Sequence, residues 1–204
     1  MSSPAQTESQ QHTAMSDFTL EARSYHGKTF EFFRGPPTFL SNRDEAICLP
    51  YGIEVESHFA PRPSFAGGAD PRNYINVQIA IGSKTAAAIR SAEEAFAAKT
   101  SFSGEWASAV VEKNGRSLFK CRLVVSASPN LSHFRCGVEG PLCSGWLALE
   151  ELLSHELRGA MGRVAVMPAK IWKVQGQVGC TWRVLQLDVE PCAQEVKDYF
   201  ADAY

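Results

Sequence analysis

The sequence predicts a mainly β protein, a small and mostly antiparallel β-barrel with one or two inserted α-helices. Three observations carry this. Strand-length segments, alternating or continuously apolar, outnumber helical ones. Asn114-Gly115 and Gln175-Gly176-Gln177 separate paired apolar runs in the manner of hairpin turns. The segments run as strands, helix, hairpin, helix, hairpin, without the regular alternation that a doubly wound parallel sheet requires.

Taken in order, residues 1–16 are polar, lack Lys and Arg, and read as a disordered leader. FTLEARSYHGKTFEFFRG (18–35) reads as strand, turn at His26-Gly27-Lys28, and strand, stopped by Pro36-Pro37. Residues 46–59 are a second extended stretch, interrupted at Pro50 and Gly52. The Pro- and Gly-rich 60–72 is a loop. In NYINVQIAI (73–81), Ile75, Val77, Ile79 and Ile81 face one way and Tyr74, Asn76, Gln78 and Ala80 the other, the mark of a half-buried strand. Residues 83–99 form a helix by propensity, with Ser83 as its cap and Ile89, Ala92 and Phe96 as its apolar stripe.

Around Asn114-Gly115 a hairpin forms. Its outgoing arm sends Phe119, Cys121, Leu123 and Val125 inward and Lys120 and Arg122 outward. Residues 132–145 are a short strand or loop, 146–157 a helix stopped by Gly159, and 163–174 with 178–189 the last hairpin. One domain, 17–191, results, followed by a mildly acidic tail, 192–204. In the last arm Cys180, Trp182 and Val184 share one side, whereas Leu185, Leu187 and Val189 share the other. That change of phase predicts that the half near the turn presents Trp182 or Arg183.

Formal net charge is −2 and the pI about 6.2, so a polyanion must be met by a local patch. No apolar run approaches the ~20 residues of a membrane span, and the leader has no signal-peptide pattern, which points to a reducing intracellular compartment. The six cysteines include no C-x-x-C pair and read as free thiols, with Cys121 and Cys180 in the core. His133, Cys136 and Cys143 have an irregular H-x2-C-x6-C spacing, and free thiols are preferred to a zinc site, so no metal or cofactor is expected. The chain holds no G-x-S-x-G, P-loop or G-x-G-x-x-G, and His155 with Glu151 and Glu156 reads as a solvated helix face.

What remains is a recurrent neighbouring of cations and aromatics on strands: Phe119-Lys120-Cys121-Arg122, Phe134-Arg135, Lys170-Ile171-Trp172-Lys173 and Trp182-Arg183. Cations along a backbone path and π-faces for bases are what sequence-tolerant single-strand binding requires. Neither helix has the basic face that would fill a duplex groove. For the two tryptophans, core packing is the competing reading.

Three stretches extend this by likeness: CLPYGIEV (48–55), FKCRLVV (119–125) and MGRVAVMPAKIWKVQGQVGCTWRVLQLDVEP (161–191). In this order the chain resembles the single-stranded-DNA-binding OB-fold proteins of T7-like phages and large eukaryotic DNA viruses. The resemblance implies an OB-fold-like barrel, a non-enzymatic role in DNA replication, recombination or repair, and Lys120, Arg122, Lys170, Trp172, Lys173, Trp182 and Arg183 as the DNA-binding residues. It also implies recruitment of replication proteins by an acidic tail ending in an aromatic. Here the tail ends at Tyr204, but Glu195, Asp198 and Asp202 stand against Lys197, so its charge is thin. An exposed barrel edge within 46–58 offers a place for a homodimer to pair.

Two other readings compete. FFRGPPTFLSN (32–42) faintly resembles the start of small N-glycosidase-like domains, with Glu54 or Glu56 as the acid. A protein-interaction or structural barrel without nucleic acid is the other; it predicts Lys120, Arg122, Lys173 and Arg183 scattered over opposite faces.

Overall fold

The computed structural model describes residues 18–25, 27–34, 40–41, 45–53, 74–125, 131–137 and 139–190. The leader, the tail, the 60–72 loop, Glu54 and Glu56 lie outside the described residues. In chain order the elements are β1 (Thr19–Tyr25), β2 (Lys28–Arg34), β3 (Leu40–Ser41), β4 (Ile47–Cys48), β5 (Tyr74–Ile81), α1 (Ser83–Lys99), β6 (Glu105–Ala107), β7 (Val110–Lys113), β8 (Arg116–Val124), β9 (His133–Cys136), β10 (Cys143–Ser144), α2 (Trp146–Leu153), β11 (Met161–Val174) and β12 (Gln177–Glu190). No helix among the described residues is long and apolar enough to cross a membrane.

Five strands close on one another in the order β4, β5, β8, β12, β11 and back to β4. All neighbours are antiparallel except β8 and β12, which run parallel and meet at Arg122 and Arg183. The result is an OB-fold-like barrel with two inserted helices, as the sequence predicts. α1 follows the second barrel strand, and α2 lies between the third and the fourth. β4 is paired on both sides, Cys48 with Ala80 and with Met161, so this part of 46–58 is consumed in closure and is not a free edge.

Alternation fills the interior. Ile75, Val77, Ile79 and Ile81 are buried, and Val77, Ile79 and Ile75 stand opposite buried Cys121, Phe119 and Leu123. Burial pushes the thiols of Cys121 and Cys180 up, which leaves them unreactive core atoms. Asn114 and Gly115 both take positive φ, 52° and 72°, the geometry a two-residue hairpin turn demands. Gln175 and Gly176 do the same at 50° and 82°, so the last turn is Gln175-Gly176 and Gln177 already belongs to the strand.

The phase change in β12 has a different meaning from the one the sequence suggested. Val166 pairs with Val184 and Ala165 with Gln186, so Leu185 has no opposite residue and forms a β-bulge. The bulge rotates the strand by one residue, and Trp182 and Val184 before it and Leu187 and Val189 after it are all buried. Trp182 is therefore core, 1% exposed, with its ring 5.7 Å from Phe96 and 5.8 Å from Phe119. Its indole N–H donates to the buried Glu93 carboxylate of α1 at 3.2 Å. Ser108 Oγ and the Ala109 amide donate to the same group, at 2.6 and 2.9 Å. A second interruption leaves Ala169 unpaired beside Pro168, where the missing N–H costs no ladder bond.

Both helices depart from the sequence reading at an end. α1 begins after Gly82, and Ser83 makes no cap. Glu45 takes that role from outside the helix: its carboxylate accepts from the amides of Lys84 and Thr85 and from Thr85 Oγ1 at 2.7 Å. A Cβ on Gly82 would lie 2.5 Å from that carboxyl carbon. These hydrogen bonds, that of the Thr85 hydroxyl foremost, hold Glu45 below the usual carboxylate range. α2 stops at Leu153 and not at 157, because the chain turns to bury Leu157 and to place the Gly159 amide on Leu49 O at 2.7 Å. His155, Glu151 and Glu156 are exposed, as a solvated face should be.

β1 and β2 form a hairpin that continues the sheet past the barrel, where β2 pairs with Lys170, Ile171 and Trp172 of β11. Its underside is fastened to the end of α1 by Glu31, which is 3% exposed. Glu31 accepts from Thr100 Oγ1 at 2.5 Å, from the Ser101 amide at 3.0 Å and from Ser101 Oγ. Burial alone pushes this carboxyl up, but the hydrogen bonds outweigh it and hold it below the ordinary 4.5. A depressed folded pKa means stability that is present above pH 4.5 and lost as pH falls through the folded value. Glu31→Gln is expected to lower unfolding free energy by roughly 2 kcal/mol at neutral pH, the worth of charged hydrogen bonds. Urea denaturation checks it: the gap between wild type and variant narrows as pH falls below 4.5.

Candidate nucleic-acid interface

Because the odd residues of β5 and β8 fill the barrel, the even residues around Asn76, Gln78, Lys120 and Arg122 make its outer surface, while Leu118 is buried. Asn76 stands opposite Arg122, and Gln78 opposite Lys120. Arg122 lies 4.1 Å over the Tyr74 ring and donates from Nε to Asn76 Oδ1 at 3.2 Å. A groove of about 790 Å³ runs over this surface. Tyr51 and Lys113 stand at it as a second stacked pair, 5.5 Å apart, and Trp172 comes to it from the β11–β12 hairpin. None of the described residues lining it is an Asp or a Glu.

Trp172 is half-buried and packs on Gly179, directly opposite it in the ladder. A Cβ at 179 would sit 2.6 Å from an indole carbon and 2.9 Å from Ala107 O. The glycine is thus the seat that lets the indole lie against the strand with part of its surface open. Gly179→Ala is expected to tilt the ring, push back the β6 pairing at Ala107 at some cost in stability, and weaken oligo-dT binding severalfold; tryptophan emission of the free protein, urea denaturation and a binding titration check it.

The cationic residues singled out in the sequence divide. Lys120, Arg122 and Trp172 line the groove. Lys170, two residues from Trp172 and so on the same side of β11, lies 4.0 Å over the Phe30 ring. Burial lowers the Lys170 pKa, and repulsion from Arg122 lowers it further. Arg183 is register partner of Arg122; burial lowers its pKa, and its Nε, buried, has no hydrogen-bond partner. Lys173 alternates to the other side, exposed but away from the groove, where its ammonium reaches Ser103 Oγ at 3.5 Å, and Trp182 is core, bordering the groove from within. Burial is the reason for Trp182, and strand alternation for Lys173.

Sequence reasoning passed over Tyr51, Tyr74, Lys113 and Phe30. Tyr74 was legible, since it heads the polar side of an alternating strand. Tyr51, Lys113 and Phe30 reach their places by tertiary pairing that no local pattern encodes. Cys48, Cys121, Cys136, Cys143 and Cys180 are free, and no cluster of three metal-ligating side chains occurs among the described residues.

Comparison with protein-family models and with curated proteins finds no match. The groove must therefore be read from its own chemistry. It offers the cations Lys113, Lys120 and Arg122, aromatic rings at its floor and sides, and amide side chains at Asn76 and Gln78. It can hold a flexible anionic chain that carries planar groups.

Proposed function

We propose that this protein binds single-stranded DNA without sequence preference, as a non-enzymatic factor in replication, recombination or repair. The observation that carries the reading is the groove: Lys113, Lys120 and Arg122 beside Tyr51, Tyr74 and Trp172, with no Asp or Glu among the described residues of its lining. Bases stack on rings at about 1–3 kcal/mol each, and phosphates meet the cations. Of Lys120, Arg122, Lys173 and Arg183, the first two line the groove and Arg183 is register partner of Arg122, which favours this reading, whereas Lys173 lies on the other side, as an interaction barrel with scattered charge predicts. The resemblance of 48–55, 119–125 and 161–191 to viral single-strand-binding proteins supports the same reading, and the absence of a duplex-filling basic helix favours single strands.

The test is titration with oligo-dT followed by tryptophan emission. Quenching is expected at ~50 mM salt, with affinity falling on a log–log plot at a slope of roughly −3 for about four phosphates neutralised. No binding at low salt, or binding indifferent to salt, removes the proposal. Release of free base from the oligonucleotide would turn the reading towards the N-glycosidase alternative.

A further inference from the structure

The free edge of the sheet is β1. Among the described residues it pairs with β2 alone, along all seven of its residues and without a register shift. The other strands with one partner are short: four residues in β7, three in β6, two in β3 and two in β10. An edge of this length presents a row of N–H and C=O groups, and proteins usually blunt one with proline, a bulge or like charges. β1 has no proline and no bulge, and its two charges, Glu21 and Arg23, are opposite in sign. Glu21, Ala22, Arg23 and Ser24 are all exposed, so both faces of the strand are uncovered at its centre.

The sequence TLEARSY is charge-complementary to itself. Antiparallel pairing of two copies about Ala22 sets Glu21 against the partner's Arg23, and Arg23 against the partner's Glu21. Within one chain Glu21 already accepts from Arg23 Nε at 3.0 Å and from Arg34 Nε. A carboxylate has acceptor sites to spare for a further guanidinium. A parallel or shifted pairing loses this match and sets like charges together or leaves them unpaired.

We propose that β1 is a homodimer edge, two copies joining there about a twofold axis through Ala22 into one continuous sheet. The inference does not depend on the nucleic-acid reading, yet it bears on it. Glu21 is register partner of Phe32 and Arg23 of Phe30, and these pair with Lys170 and Trp172. The joined edge therefore continues the aromatic and cationic side of one copy into that of the other.

Sedimentation equilibrium of the full chain tests it, with circular dichroism confirming that each variant is folded. The wild type is expected to dimerise reversibly. Glu21→Arg and Arg23→Glu each place like charges opposite one another twice, and each is expected to raise the dimer dissociation constant roughly tenfold or more. The double variant E21R/R23E restores opposite charges across the axis and is expected to return the constant towards wild type. A wild type that stays monomeric, a dimer indifferent to all three variants, or a double variant as weak as the singles overturns the proposal. None of these outcomes alters the expected binding of oligo-dT to a single barrel.

Discussion

Trp172→Ala is expected to weaken oligo-dT binding by about ten- to a hundredfold, the loss of a stacked base worth ~1–3 kcal/mol, and to abolish most of the emission quenching. Trp172 and Trp182 both border the groove, but Trp172 has its ring partly open to it, while Trp182 is core and 1% exposed. Trp182→Phe is the control: it should leave quenching in place, because the buried ring never meets a base. The hairpin that carries Trp172 has a turn set by its own backbone, so Trp172→Ala should unfold close to the wild-type midpoint. Affinity without a stability change marks Trp172 as a contact residue. Unchanged affinity with lost quenching would mean that the ring senses the ligand without stacking on it.

Glu93→Ala should produce the largest loss of stability, about 3 kcal/mol or more in chemical denaturation. Its carboxylate gathers three donors from two places in the chain: the Trp182 indole, and the Ser108 hydroxyl with the adjacent Ala109 amide. Alanine leaves the indole and the Ala109 amide buried without an acceptor, while the half-buried Ser108 hydroxyl can turn to water, and each buried group so stranded costs ~1–3 kcal/mol, discounted where water enters the cavity. Glu93→Gln keeps one carbonyl acceptor but turns an amide N–H₂ towards donors, so an intermediate loss is expected. An alanine variant within about 1 kcal/mol of wild type, less than one unsatisfied group costs, would show that water replaces the carboxylate without penalty.

The barrel was readable because its signals are local. Alternation in 73–81, the Asn114-Gly115 turn and the apolar stripe of 83–99 each point to an element that the structure contains. What misled were features settled by tertiary contact. Ser83 looked like a cap, yet Glu45 arrives from far along the chain to fill that place. The helix predicted over 146–157 stops early because Leu157 is worth more in the core than in another turn. The phase change at Leu185 was visible in the sequence, but a bulge and an exposed half-strand predict the same pattern of letters. Only the ladder separates them. The same limit governs the site: Lys120 and Arg122 follow from period-two alternation, whereas Tyr51 and Lys113 meet only because β4 and the β7–β8 hairpin flank one groove.

Closure of the barrel has a kinetic consequence. The β7–β8 and β11–β12 hairpins are local enough to form early and the β5–β8 ladder spans α1, but the ring is completed by Ile47 and Cys48 meeting Gly162 and Met161 from the opposite end of the domain. A contact of such long range is slow to find, because loop closure must be achieved before the pairing rewards it. The groove floor can be laid down by β5 and β8 alone, while Tyr51, three residues past β4, and Trp172 on β11 reach it from the two sides of that late seam. Refolding should therefore restore secondary structure before it restores the groove, with the last kinetic phase belonging to the closing of the ring.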